Sequence, residues 1–387
     1  MTRVALIVLD GLGIGPAPDT AEYGDAGSDS LGNVARAVGG LHLPNLERLG
    51  LGRCRPIAGL SPDAPPGAAH GVALPRSAGK DSTTGHWELC GIVLERPFPT
   101  YPGGFPREVL AEFSRRTGRG VIGNRVASGT QIIDDLGAEH QRTGDWIVYT
   151  SADSVFQVAA HEETVPLDEL YAACATARAM LDGRDAVSRV IARPFEGTPG
   201  DYRRTVGRRD FSLEPPGVTL LDALAAAGVP RVGIGKVDDL FAHRHIASEH
   251  TPTNADAYRR IEETLGTLER GLVFVNVIEF DQTWGHRNDV PGYVEGLQAL
   301  DAWIPRLEAL GREDDLIILT ADHGNDPTTP STDHSREAVP VLCLGPRVRP
   351  VALGERGTFA DVGATIAEVF GLGPLGVGSS FLREVRA

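Results

Sequence analysis

Lysine is almost missing from this 387-residue chain. Only Lys80 and Lys236 occur, so 35 of the 37 cationic side chains are arginines. Such a bias is a matter of general composition, and it draws attention to the two positions that keep a compact, strongly hydrated ammonium. Positive charge is short altogether: 52 acidic residues give a formal net charge of −15, which excludes a general nucleic-acid or anionic-membrane binder, because both need a basic surface. Cysteine is sparse too. Cys54, Cys90, Cys174 and Cys343 lie far apart with no C-x-x-C pair, which argues against a zinc knuckle or a disulfide framework and fits a reducing cytoplasm. Long apolar runs are absent: the N-terminal one, Val4 to Leu9, ends at Asp10 and is too short for a signal peptide or a membrane span. A soluble, cytoplasmic chain with no membrane partner is expected. The common nucleotide and hydrolase motifs are missing as well. Gly11-Leu12-Gly13-Ile14-Gly15 lacks the G-x-G-x-x-G spacing, and neither a phosphate-binding loop ending in Gly-Lys-Ser/Thr nor a G-x-S-x-G elbow with partners occurs.

What is present is an alternation of short apolar runs and longer helical patterns, the signature of an α/β sheet whose central strands are buried on both faces. Strands are expected at Val4–Leu9, Val232–Ile234, Leu272–Phe280, Leu316–Thr320 and Val339–Leu344. Helices are expected at Thr219–Ala227, at Ala255–Leu268 behind Asn254 as N-cap, at Gly292–Leu310 and at Val362–Phe370. Pro- and Gly-rich joins near Pro97 and Pro216 bracket a middle stretch with strand-like Trp146–Thr150 and Ser188–Ala192 and an Ala-rich helix from Pro166 to Leu181. The expected organisation is a core made of residues 1–97 and 217–387, with a smaller α/β domain, residues 98–216, inserted as a hinged cap.

Three predicted strands run into a carboxylate: Leu9 into Asp10, Phe280 into Asp281 and Ala321 into Asp322. Open α/β sheets bind ligands at the carboxyl ends of their strands, so three Asp delivered to that edge mark a site on geometry alone. His286, His323 and His334 accompany them, enough for two divalent metals with mixed oxygen and nitrogen ligands. Taken singly, a strand-end Asp is ordinarily a cap or turn residue and a lone His an ordinary surface group; it is the convergence of six that carries the metal reading. The segment Gly79-Lys80-Asp81-Ser82-Thr83-Thr84-Gly85-His86-Trp87-Glu88 puts three hydroxyls at an expected helix start, where one could be activated beside a metal while free N–H groups accept a phosphate. The ordinary alternative is a capping run with Ser82 or Thr83 as N-cap.

Asp10 to Asp19 with Tyr23-Gly24-Asp25, Lys80 to Glu88, Ala127-Ser128-Gly129-Thr130, Tyr149 to Gln157, Phe280-Asp281 with Gly285 to Asp289, Thr320 to Thr328 and Thr332-Asp333-His334 together resemble the phosphopentomutases of the alkaline phosphatase superfamily, in order and across nearly the whole chain. The resemblance implies an alkaline-phosphatase-like core sheet flanked by helices, an inserted cap, and two divalent ions, manganese in type. It implies one ion held by Asp281, His286 and His334, and another by Asp10, Asp322, His323 and the Ser82 hydroxyl. It further implies that this hydroxyl carries a phosphate, primed by a hexose or pentose bisphosphate, which is donated to a sugar phosphate and then replaced by the substrate's other phosphate. The net result exchanges ribose or deoxyribose 1-phosphate and the 5-phosphate. On that reading Ser151 and Asp153 contact sugar hydroxyls, Lys80 lies beside the transferring phosphate, and Arg189, Arg193 and Arg204 with Lys236 take the distal phosphate. Arg189 and Arg193 are four apart on an expected strand and share a face.

Ser82 stands where family members carry Thr; the related cofactor-independent phosphoglycerate mutases use Ser at that place, and Ser does the same chemistry. Glu279, Gln282 and Arg125 also depart from the family pattern. A phosphohydrolase or phosphotransferase on the same site, or a mutase for a different sugar phosphate, is the second reading, and a non-catalytic carbohydrate- or partner-binding module the third.

Overall fold

In a computed structural model, which describes residues 2–151 and 153–386, the chain divides into two compact units, one formed by residues 1–97 and 215–387 and the other by residues 98–214. The larger unit is built on eight strands: β1 (Arg3–Leu9), β2 (Ala69–Ala73), β3 (Arg231–Ile234), β4 (Ser248–Glu249), β5 (Gly271–Val277), β6 (Leu316–Thr320), β7 (Val339–Leu344) and β8 (Ala352–Arg356). They form one sheet in the order β4-β3-β5-β1-β6-β7-β2-β8. β4, β3, β5, β1 and β6 run parallel, whereas β7 is antiparallel to both β6 and β2.

Every residue of β1, β5 and β6 is buried, as the unbroken apolar runs require. Each fully buried Val, Leu or Ile there contributes about 1.5–3 kcal/mol over its exposed state. Arg3, which opens β1, is the exception, and it is buried against the Asp315 carboxylate with Nε 3.1 Å from both oxygens. Because β5 and β6 flank β1 on opposite sides and all three are parallel, the chain leaves the sheet at one edge on both sides of β1, which is where α/β sheets open a crevice.

The observed elements differ from the sequence expectation in instructive places. β5 stops at Val277, not Phe280, because Glu279 N turns to the Asn254 side-chain oxygen at 3.0 Å; Phe280–Trp284 then forms a single wide helical turn. Asn254 is thereby occupied, and Thr253 caps the Asn254–Thr267 helix instead, accepting from Asp256 N at 3.1 Å. β2 and β8 were not expected from their Ala- and Gly-containing sequences, and β2 is a strand because it is paired on both sides.

The smaller unit has its own sheet, in the order Val121–Val126, Trp146–Thr150, Val155–His161, Arg189–Glu196 and Arg203–Arg204, with Arg209–Ser212 also paired to Arg189–Glu196. One core centres on Phe113, Trp146 and Phe156, to which the Arg107–Thr117 and Leu167–Met180 helices contribute. A second, around Ile133, Ile147 and Phe195, is covered by the Gly129–Thr143 helix.

Candidate active site

Asp10 follows β1 directly, Asp322 stands two residues beyond β6, and Asp281 sits on the helical turn after β5. All three carboxylates are buried. Asp281 holds two imidazoles, with His286 Nε2 3.2 Å from Oδ2 and His334 Nε2 3.3 Å from Oδ1. His323 Nε2 lies 3.3 Å from Asp10 Oδ1 and 3.5 Å from Asp322 Oδ2. The His334 ring lies beside both others, His286 and His334 centred 4.8 Å apart and His323 and His334 4.1 Å apart. Two donor sets of the size a metal needs result: Asp281, His286 and His334, and Asp10, Asp281 and His323. Asp281 belongs to both, a sharing that the resemblance did not imply.

Burial and the neighbouring Asp322 and Asp281 charges push the Asp10 carboxyl above its ordinary value. Burial would do the same to Asp281, but His334, His286 and His323 hold it well below the usual carboxylate range. Burial pulls His286 down, yet Asp281 and the Thr332 carbonyl outweigh it and carry its pKa up to about 9. For His323 the carboxylates of Asp322, Asp10 and Asp281 likewise overcome burial and raise it well above its ordinary value.

These donors fit a pair of divalent cations. Asp322 Oδ2 is a buried carboxylate oxygen with no hydrogen-bond donor among the described residues, a group that costs several kcal/mol to bury unless a cation meets it. The donors are carboxylate oxygens and imidazole nitrogens, a set suited to manganese or zinc. A third cluster, Asp238, Asp239 and His250, is of another kind. There the Asp238 carboxylate is occupied by the backbone amides of Asp239 and Ser248.

Ser82 opens the Ser82–Leu89 helix, and the capping work falls to its predecessor: Asp81 accepts from Thr84 N at 3.0 Å and from Thr84 Oγ1 at 2.6 Å. Neither Ser82 nor Thr83 is the N-cap. The Ser82 hydroxyl is left to face the carboxylates, 3.0 Å from His323 Nε2 and 3.4 Å from Asp10 Oδ1. Gly85 permits this approach. A β-carbon there would stand 2.7 Å from Asp322 Cβ and closer still to the Asp322 carbonyl. Gly85→Ala is therefore expected to push the helix off Asp322 and to lower kcat/KM by about 10–100-fold, as small misplacements of reacting groups do, with the circular-dichroism spectrum unchanged.

Lys80 Nζ is 2.8 Å from Asp25 and 3.6 Å from Asp333, so this lysine ties the Ser82 loop to the loop that carries His334. Lys236 donates to Gln282, one of the departing positions. In the smaller unit Arg189 lies 3.5 Å from Asp210 and Arg193 Nε donates to Gln157 at 3.1 Å, both from one face of their strand. Arg204 is exposed near Gly129 at the start of the Gly129–Thr143 helix. Asp153 N donates to Ser151 Oγ at 3.3 Å. Arg125 pairs with the exposed Asp135.

Four residues of the site escaped the sequence reading. Asn325 Nδ2 donates to Asp281 Oδ1 at 2.7 Å, and Asn276 Nδ2 to Asp10 Oδ2 at 3.0 Å. His86 is wholly buried between the Ser82 carbonyl and Asp322. Arg336, also buried, donates to the carbonyls of Pro75, Ser77 and Gly79 and pairs with Asp19, which fixes the segment leading to Ser82. The available signal was a single polar residue, Asn276, inside the apolar run of β5.

The family model of the Metalloenzyme superfamily matches residues 2–374. Curated relatives named phosphopentomutase are similar over the full length. That of Carboxydothermus hydrogenoformans is 54% identical over 388 residues, covering 100% of both chains. That of Anaeromyxobacter sp. strain K is 58% identical over 386 residues, 99% of each, and that of Caldanaerobacter subterraneus 51% identical over 387 residues, 100% of this chain and 98% of the relative.

Proposed function

The chain belongs to the Metalloenzyme superfamily and, within it, to the phosphopentomutases, and from that premise we propose that Ser82 carries the phosphoryl group exchanged between the 1- and 5-positions of ribose or deoxyribose phosphate. The observation that supports it is the position of Ser82 Oγ, released from capping by Asp81 and set against His323 and Asp10. Asp281, His286 and His334 would hold one divalent ion, and Asp10, Asp322 and His323 the other, with Asp281 close to both; we take manganese as the native metal. Such ions neutralise charge on a transferring phosphoryl group and lower the pKa of the oxygens they bind.

The residues supply the rest. In the first half-reaction the bond between Ser82 Oγ and phosphorus breaks as the free hydroxyl of the sugar phosphate takes the phosphoryl group and gives up its proton, leaving a sugar bisphosphate. In the second, Ser82 Oγ attacks the other phosphate, and the sugar oxygen so released takes a proton. In the first turn of the Ser82–Leu89 helix the Thr84 N–H is taken by Asp81, and the N–H groups of Ser82 and Thr83 would be left for a phosphate on Ser82. A bisphosphate of hexose or pentose would prime Ser82 at the start. Residues 98–214 would act as the hinged cap that keeps water from the waiting phosphoenzyme. Within it, Arg189, Arg193 and Arg204 would face the distal phosphate together with Lys236, and Ser151 and Asp153 the sugar hydroxyls.

The test is to incubate the manganese-loaded protein with ribose 1-phosphate and a trace of hexose bisphosphate and follow phosphorus by NMR. Ribose 5-phosphate without inorganic phosphate is expected; inorganic phosphate would instead make the protein a phosphohydrolase, and no change would reject ribose as the sugar.

Metal binding is expected to be linked to protons. In the metal-free protein His286 keeps its proton up to about pH 9 beside Asp281. Because its pKa is raised on folding, that pair's contribution to the stability of the metal-free protein is complete below the ordinary imidazole range and is lost as pH rises through about 9. A cation bound by His286 must displace that proton, and one bound by His323 must displace another, so near neutral pH filling both sites releases about two protons and binding tightens toward alkaline pH. Titrations in two buffers of different ionisation enthalpy read the number directly.

A further inference from the structure

Behind the candidate ligands lies a buried polar pair that the reaction itself does not use. His86 and Asn276 are both fully buried, and the imidazole is stacked on Phe274 at 5.7 Å with an interplanar angle of 24°. His86 Nδ1 meets the Ser82 carbonyl at 2.9 Å, so this nitrogen carries the proton and donates there; Asp322 Oδ2 lies 3.1 Å from the same nitrogen without accepting from it. Asn276 Nδ2 donates to Asp10 Oδ2 at 3.0 Å and makes a long contact, 3.5 Å, with His86 Nε2. The amide cannot be turned round, since its oxygen would then meet the Asp10 carboxylate. In this orientation Asn276 Oδ1 has no hydrogen-bond partner among the described residues. A buried orphan of that kind costs free energy, and a core optimised for stability alone would place an apolar side chain at this position.

We propose that His86 and Asn276 are positioning residues. Asn276 fixes one oxygen of Asp10, which leaves Oδ1 turned toward Ser82 and His323. His86 fixes the first turn that carries Ser82 through its N–H and packs its ring edge against Asp322. One stacked ring and one amide thus set the nucleophile and the Asp10 carboxylate in register from behind. The inference rests on the two-metal reading given above, and it assigns the pair to one of the two ions: the set Asp10, Asp322 and His323 depends on it, and the set Asp281, His286 and His334 does not.

The experiment is a titration of metal-free protein with Mn2+ by calorimetry, with electron paramagnetic resonance to separate single from paired ions. The site formed by Asp10, Asp322 and His323 is identified as the step that survives in His286→Ala. His86→Phe keeps the stacking and loses the N–H; it is expected to weaken that step by about 10–100-fold, the usual effect of removing a group that orients a metal ligand, while the other step stays unchanged. Asn276→Ala is expected to act on the same step. His86→Asn, whose amide places an N–H close to that of Nδ1, is expected to recover most of the loss, which a merely structural role would not predict. Equal weakening of both steps, no weakening of either, or His86→Asn binding as poorly as His86→Phe would overturn the assignment. A native protein that takes up fewer than two ions would overturn the two-metal reading itself, and the inference with it. Should His86→Phe not fold, Asn276→Ala and His86→Asn make the same comparison.

Discussion

Ser82→Ala abolishes sugar phosphate exchange, by about four orders of magnitude or more, because removing a covalent nucleophile leaves only binding and electrostatic contributions. The variant should still take up metal and substrate, since every Asp and His donor is intact and the backbone carbonyl of residue 82, which His86 holds, is retained. Ser82→Thr restores the hydroxyl on the same backbone and is expected to keep activity within about tenfold, the extra methyl being the only change. Thr83→Ala is expected to be nearly neutral. Steady-state kinetics on the three variants gives the answer: an active Ser82→Ala with an inactive Thr83→Ala would move the nucleophile one residue along the helix.

Asp281→Asn has the second large effect. Asp281 is the carboxylate common to both donor sets, and both His286 and His334 point at it. Asparagine keeps the volume but removes the charge that faces the cations. Metal content is expected to fall from two ions per chain to well below one, and kcat/KM by about three orders of magnitude, since two-metal clamps stabilise attacking and leaving oxygens together. Asp10→Asn leaves Asp281, His286 and His334 intact and should lose a single ion. Elemental analysis of the two purified variants separates a shared carboxylate from a private one; equal losses would contradict the sharing.

Much of this arrangement could be read from residues alone, and for one reason. Parallel strands buried on both faces appear as unbroken apolar runs, so β1 and β6 were visible, and the polar residues that follow such strands all reach one edge. Asp10 and Asp322 were found in that way. Asp281 was found on a partly wrong picture. Its strand ends three residues earlier than the apolar pattern suggests, because Asn254 and Glu279 exchange hydrogen bonds and turn the chain, a contact across 25 positions that no local pattern displays. The Ser82 hydroxyl was picked out by its company, but what frees it is Asp81, and a run of three hydroxyls hid that residue's capping role. Apart from the local bond to the Ser82 carbonyl, His86 and Asn276 act through partners on other elements, 190 to 266 residues away, which periodicity does not register.

The scarcity of lysine acquires a definite content. Lys80 is held by Asp25 and Asp333 and so joins the loop before Ser82 to the one before His334, and Lys236 is held by Gln282. In the case of Lys80 a single compact ammonium bridges carboxylates on separate segments, a task for which the longer, planar guanidinium is a poor substitute. The acidic excess has a local meaning as well: three of the carboxylates lie together in the site, where bound divalent ions would invert the field and make room for an anionic substrate.

The claim on which the rest depends is that a phosphate resides on Ser82 between half-reactions. Manganese-loaded protein is treated with a radiolabelled sugar bisphosphate, quenched and digested, and the label is mapped by peptide mass. The account predicts label on Ser82 that disappears into sugar phosphate, and not into inorganic phosphate, when unlabelled ribose 5-phosphate is added before the quench. Label on another residue, or release as inorganic phosphate at the rate of turnover, would contradict it.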